Sequence, residues 1–260
     1  MSLPDKQRIR ASFARAAASY DTAAVLQREV CTRLLACLDE TMEQAPARIL
    51  DAGCGTGYGA GLLRTRWPQA AIVAADFAET MAATTRRQAP AGTACAVADI
   101  EALPFAGARF DLWWSSLTVQ WCDAATVLAE AARVLRADGR LALSTLGAGT
   151  YAELRTAFAE VDRHRHTLDF TAAEALADTA TAAGLRDVRI HRETLTLHYP
   201  DLRTLLGAVK AIGANALGTG RRPGMMGKAA WQALAAAYER QRVAAGLPAS
   251  HDVLLLTARK

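Results

Sequence analysis

Three aspartates, Asp51, Asp76 and Asp99, each close a short apolar run, in "ARILD", "AAIVAAD" and "ACAVAD". Directly after the first stand five glycines at alternate positions: 53, 55, 57, 59 and 61. Glycine costs backbone entropy on folding, and a tight turn needs only one or two. The spacing therefore points to a bend whose backbone meets a ligand. Gly55-Thr56-Gly57-Tyr58-Gly59-Ala60 fits the GxGxxA form of a dinucleotide fingerprint, so a nicotinamide-dependent dehydrogenase is one reading. Three carboxylates at neighbouring strand ends would repel a pyrophosphate, however. They suit a ligand with cationic and neutral donors. S-adenosylmethionine is such a ligand: it has no phosphate and carries a sulfonium, an ammonium, two ribose hydroxyls and an adenine amine.

The elements that must position these groups alternate along the chain. "ARILDAG", "AAIVAAD", "ACAVADI", "RFDLWWSSL" and "RLALSTL" read as strands. Between them "GYGAGLLRTRW", "AETMAATTRRQ" and "AATVLAEAARVLR" read as helices. That alternation predicts a parallel sheet covered on both faces, with its ligand at the carboxyl ends of the strands. Residues 4–18 and 22–44 read as two leading helices, and 151–160 and 171–183 as two more. "RDVRIHRETLTLHY" alternates like a strand, residues 200–245 are mostly helical, and "HDVLLLTARK" reads as a final strand.

Composition bounds the rest. The chain has 260 residues, 52% of them hydrophobic and 22% charged, which suits a globular protein with one large α/β domain or two small ones. A net charge of +4 is no nucleic-acid signature, and no apolar run approaches a membrane span. No signal peptide is expected in "MSLPDKQRIRASFARAAASYD". Cys31, Cys37, Cys54, Cys95 and Cys122 are scattered and odd in number, so free thiols and a cytoplasmic location are expected. His164 and His166 in "DRHRH" are expected on a solvated helix end or loop, with no metal site.

"ILDAGCGTG", "VAADFAETM", "VADIEALPFAGARFDL" and "AARVLRADGRL" resemble, in order and spacing, the motif series of class I S-adenosylmethionine-dependent methyltransferases. The resemblance spans about residues 45–145. It implies a Rossmann-like α/β sheet of seven strands with the last antiparallel, as one domain: a helical lid over 1–44, a cofactor-binding core over 45–150, and a C-terminal half over 151–260 with a helical insertion at about 200–245. It also implies roles. Gly53, Gly55 and Gly57 would pass the backbone along the methionine part, near Asp51. Asp76 would hold the ribose hydroxyls, Asp99 with the Ile100 amide would read the adenine edge, and Phe77 and Met81 would pack near the base.

"FARAAASYDTAAVLQ", "WSSLTVQWCD" and "VKAIGANALGTGRR" resemble a narrower group, the malonyl-carrier-protein O-methyltransferases of biotin synthesis. Such an enzyme methylates the free carboxylate of a malonyl thioester on acyl carrier protein or, less favoured, on coenzyme A. A methyltransferase acting on another small carboxylate or a quinone-like ring is the alternative, and a binding module without chemistry is a third. A carboxylate is ionised at neutral pH and needs no general base, so the work left to the protein is alignment in a water-poor pocket. Candidates are Tyr20 in the lid, Trp121 with Gln120 after the fourth strand, and Phe170 as a pocket wall. Lys210, Arg221 and Arg222 could clamp the acyl carbonyls or meet an acidic carrier protein. Gln27 and Ser115 are candidates for the methionine carboxylate.

Overall fold

The computed structural model describes residues 5–17, 20–164, 166–211, 224 and 226–260. Seven strands form one sheet in the order β3-β2-β1-β4-β5-β7-β6. The strands are β1 Arg48–Ala52, β2 Ala71–Asp76, β3 Thr93–Val97, β4 Phe110–Ser116, β5 Leu135–Leu146, β6 Arg186–Tyr199 and β7 Leu247–Arg259. β1 to β5 pair in parallel, and β7 runs antiparallel between β5 and β6. The strand order reverses between β1 and β4, the place where open α/β sheets take their ligands.

Alternation along the strands sorts the core into two layers. Leu50, Trp113, Leu141 and Leu143 face helices α6 (Ala124–Val134) and α8 (Ala173–Ala182) through Val127, Leu128, Leu176 and Ala180. Ile49, Leu112, Trp114 and Ala142 face α3 (Val25–Asp39) and α4 (Tyr58–Arg66) through Leu26, Val30, Leu34 and Leu63. A third cluster joins α7 (Ala152–Ala159), α9 (Leu202–Ala211) and α10 (Lys228–Glu239) to the start of β7, with Leu154, Leu205, Leu234 and Leu247 at its centre. Helix α5 (Glu79–Gln88) covers β2 and β3.

The elements differ from the sequence expectation mainly at their ends. The leading segment is α1 (Lys6–Ala16), a single turn α2 (Tyr20–Ala23) and α3, which stops at Asp39 rather than 44. Its last carbonyls are closed by Thr41, whose amide and hydroxyl both donate to the Leu38 carbonyl. α6 ends at Val134, and Leu135 already pairs with Phe110 of β4. The pairing then slips and resumes at Arg140 opposite Leu112, with Asp138 in the left-handed region at φ 63°. Asp138 and Gly139, just past the expected helix, thus form a bulge inside a strand.

Candidate functional site

The glycine bend links β1 to α4, and its glycines do different jobs. Gly53, Gly55 and Gly57 have φ of 78°, 56° and 95°, a region that side-chain-bearing residues rarely adopt. A Cβ on Gly53 would stand 2.4 Å from the Thr118 side chain, and one on Gly57 would stand 3.1 Å from that of Thr85. Those two are needed for the chain's own close packing. At Gly55 a Cβ would meet nothing within 4 Å, so it is this residue that opens toward a ligand.

Around the bend lie two adjoining chambers. One, of about 60 Å³, is bounded by Gly53, Gly55, Asp76, Phe77, Met81, Asp99 and Ile100, with Lys6 and Phe13 above. The other, of about 50 Å³, is bounded by Tyr20, Gln27, Asp51 and the bend itself. Asp76 at the end of β2 accepts the Gly55 amide on Oδ2 at 3.0 Å and the Ala78 amide on Oδ1 at 2.8 Å. Each oxygen keeps a lone pair for a hydroxyl donor. Burial raises this carboxyl to about 6, against the pull of the two amides. Asp51 is buried more deeply, and its Oδ2 has no hydrogen-bond partner. Burial, with Asp76 close by, raises it to about 7, opposed by one amide from Ala60. Gln27 Oε1 is likewise buried without a partner. Asp99 Oδ1 accepts the Glu101 amide, while Oδ2 takes the Lys6 ammonium at 2.6 Å. Lys6 also reaches Glu101 at 2.5 Å and so fastens α1 over this end of the pocket. The second tie is at α2, where Thr56 of the bend donates to Asp21 at 2.7 Å.

These groups fit S-adenosylmethionine. Two orphaned acceptors, Asp51 Oδ2 and Gln27 Oε1, await donors, and no basic side chain lines the bend chamber except Arg28. Asp76 would hold the ribose, Asp99 and Ile100 the base between Phe77 and Met81, and Asp51 and Gln27 the charged methionine end.

Ser115 is corrected. It is fully buried, its Oγ has no partner, and it lines neither chamber. Its neighbour Ser116 lines both and exchanges a hydrogen bond with Ser144 at 2.9 Å. Adjacent strand residues face opposite sides, so a one-position error inverts the assignment.

Beyond the cofactor chambers is a larger cavity of about 180 Å³. Phe13, Tyr20, Leu117 and Trp121 belong to the walls of both this cavity and the Asp76 chamber. Tyr20 borders the bend chamber as well. Burial, followed by the charges of Cys31, Asp76 and Asp21, pushes its phenol far above the ordinary value, so it remains a donor. Trp121 stands edge-on to Phe13, ring centres 5.6 Å apart. Phe170, Gln120 and Lys210 also line this space, and so does Gln27, which was expected at the methionine carboxylate. Arg221 and Arg222 lie outside the described residues. The sequence reading missed Phe13, Tyr151, Phe158 and His166, which the fold brings here from α1 and from the segment around α7. His166 is not solvated. Its ring stacks on Phe158 with centres 3.5 Å apart, and its Nε2 meets Asp162 Oδ1 at 2.7 Å. Among the described residues no His, Cys, Asp and Glu cluster could hold a metal ion.

The sheet order and the acid-rimmed glycine bend define the class I methyltransferase architecture. A family model described as "Methyltransferase domain" matches residues 50–143. Solved structures of the same fold include a S-adenosylmethionine-dependent methyltransferase of Thermotoga maritima, with a TM-score of 0.59 and 17% identity over 96% of this chain and 98% of that one. The YcgJ protein of Bacillus subtilis gives a TM-score of 0.61 and 17% identity over 88% of this chain and 98% of its own. Curated relatives are nearer. The malonyl-[acyl-carrier protein] O-methyltransferase of Dechloromonas aromatica is 50% identical over 99% of this chain and 95% of its own length. That of Laribacter hongkongensis is 46% identical over 96% of this chain and 88% of its own. The chain belongs to the malonyl-[acyl-carrier protein] O-methyltransferase family.

Proposed function

We propose that this chain, acting as one domain, transfers the methyl group of S-adenosylmethionine to the free carboxylate of a malonyl thioester on acyl carrier protein, an early step of biotin synthesis. The observation that carries this reading is the apolar acceptor cavity that meets the cofactor chamber at Tyr20 and Trp121. When bound, the cofactor supplies a sulfonium-activated methyl group. The protein's share is to bring an ionised carboxylate to it with little water present. Tyr20, held protonated, can donate to one carboxylate oxygen and leave the other free to react. Gln120 is fixed by donating to the Leu117 carbonyl at 2.7 Å and accepting from Thr145 at 3.3 Å, which leaves one amide proton for the acceptor. Trp121, Phe13 and Phe170 exclude water. Lys210 supplies a cation to an acidic substrate.

Carrier protein is preferred to coenzyme A as the bearer of the malonyl group, in keeping with the names of the relatives. A cytoplasmic setting fits the five free cysteines. No described helix is long and apolar enough to cross a membrane. The test is an assay with methyl-labelled S-adenosylmethionine, offering malonyl-carrier protein, malonyl-coenzyme A and a quinone-like ring acceptor side by side. Label is expected in the malonyl-carrier protein as a base-labile ester. Label in the ring acceptor alone would refute the reading.

A further inference from the structure

Tyr151 is one of five non-glycine residues with positive φ among the described residues, and the one of them that borders the acceptor cavity as a large aromatic side chain. Its φ of 57° and ψ of 37° place it in the left-handed region, which a bulky residue occupies at a cost that surrounding contacts must offset. Those contacts are dense. The Gly147 amide donates to the Asp252 carbonyl at 2.6 Å, the Gly149 amide to Asp252 Oδ2 at 2.8 Å, and the Tyr151 amide to the Ser250 carbonyl at 2.7 Å. The Asp252 amide donates to Thr150 Oγ1 at 3.1 Å. Arg192 grips both Asp252 oxygens at 2.7 and 2.9 Å, and Arg155 donates to the carbonyls of Ala148 and Thr150. A Cβ on Gly147 would stand 2.5 Å from Asp252 Oδ2, closer than any side chain tolerates, and one on Gly149 would stand 3.0 Å from it, a tight fit.

A buried carboxylate, two glycines and two arginines thus fix one turn, and the turn fixes one ring. That ring stands edge-on to His251 with centres 4.9 Å apart and tilts toward Phe170 at 6.4 Å. The Tyr151 side chain is 8% exposed, yet its hydroxyl makes no hydrogen bond with any described residue. Burial, followed by Tyr199, keeps the phenol protonated, so it is able to donate, and the residue borders the cavity.

A malonyl thioester carries a second polar group, the thioester carbonyl, one methylene from the carboxylate that reacts. In an apolar cavity that oxygen would lose its water without replacement unless the protein donates to it. We propose that Tyr151 donates a hydrogen bond to the thioester carbonyl of the acceptor, and that Tyr151 and Tyr20 together select the three-carbon acyl group by the separation of its two oxygens. This rests on the methyl-transfer reading above.

The test is Tyr151→Phe, which keeps the ring, the turn and the packing. Its KM for malonyl-carrier protein is expected to rise about tenfold, the scale of one hydrogen bond to a buried group. The dissociation constant for S-adenosylmethionine stays unchanged. Succinyl-carrier protein, one methylene longer, should lose less than twofold, so the malonyl preference collapses. A thioether analogue lacking the carbonyl should bind wild type and variant equally. An unchanged malonyl KM, an equal loss on both acyl groups, or a weaker grip of the variant on the carbonyl-free analogue overturns the proposal. Failure of the parent reading looks different: the wild-type chain itself would then transfer no methyl to malonyl-carrier protein. Should Tyr151→Phe fold poorly, the wild-type chain carries the test alone: the carbonyl-free thioether must bind about tenfold more weakly than the malonyl thioester, and equal binding overturns the proposal.

Discussion

If Asp51 meets the cationic methionine end as proposed, its protonation should make affinity for the methyl donor depend on pH. In the ligand-free pocket this carboxyl is raised from its ordinary value of 3.8 to about 7 by burial and by Asp76. The rise corresponds to roughly 4 kcal/mol against the ionised form. A cationic ligand favours that form, so binding draws the proton off. If only the ionised carboxylate binds, the apparent dissociation constant scales as 1 + 10^(pKa − pH). Between pH 6 and pH 8 that factor falls from about 11 to about 1.1, so S-adenosylmethionine should bind about tenfold more tightly at pH 8. Isothermal titration in two buffers of different ionisation enthalpy reads both the constant and the proton, and about half a proton should leave per cofactor at pH 7. Asp51→Asn should flatten the profile. The sign for stability is the reverse. A folded-state value above the unfolded one means that ionisation opposes the fold, so this contribution is intact below about pH 3.8, falls as pH rises from there and is gone above about 7. The melting temperature of the free protein should carry that decline, and added cofactor should offset it most at pH 8. An affinity flat from pH 6 to pH 8 with no proton released would refute the reasoning.

Asp76→Ala should weaken cofactor binding by roughly 1–3 kcal/mol in the same titration, and because Asp76 also holds the Gly55 and Ala78 amides the melting temperature should fall with it. Unchanged affinity would remove Asp76 from the site. Gly53→Ala pairs a positive φ with a 2.4 Å approach to Thr118, so denaturant unfolding should show a loss of about 2 kcal/mol or more. Lys6→Met removes two ion pairs of a half-exposed lysine, so the cofactor dissociation constant should rise no more than about fivefold, and limited proteolysis should cut α1 sooner.

The cofactor half of the site was legible because its signals are local. An apolar run, an acid and a glycine bend occupy neighbouring positions, and Asp51, Gly55, Asp76, Phe77, Met81, Asp99 and Ile100 do border the two chambers. Ser115 went astray because its strand is buried on both faces, so hydrophobic alternation gave no parity, and Ser116 is the residue at the pocket. The acceptor half was much less legible. Its walls come from α1, the turn before α7 and the segment around His166, far apart in the chain and joined only by packing. A glycine pair at 147 and 149 beside a tyrosine was visible in the sequence, but its reason, the carboxylate of Asp252 a hundred residues on, was not. The ends of α3 and α6 were misplaced for a similar cause: side-chain closure at Thr41 and strand pairing at Leu135 override helical periodicity.

The position of β6 at the border of the sheet has a consequence for how the molecule behaves in a crowded solution. It has fourteen residues of extended backbone, twelve of them in register with β7, and among the described residues no strand pairs with its other side. A flank of that length would be a template for a neighbouring molecule to lengthen the sheet. Along it stand Arg186, Asp187, Arg189, His191, Arg192 and Glu193, and the opposite border, β3, is only five residues long. Arginine and acidic side chains on one border and brevity on the other oppose the stacking of copies rim to rim.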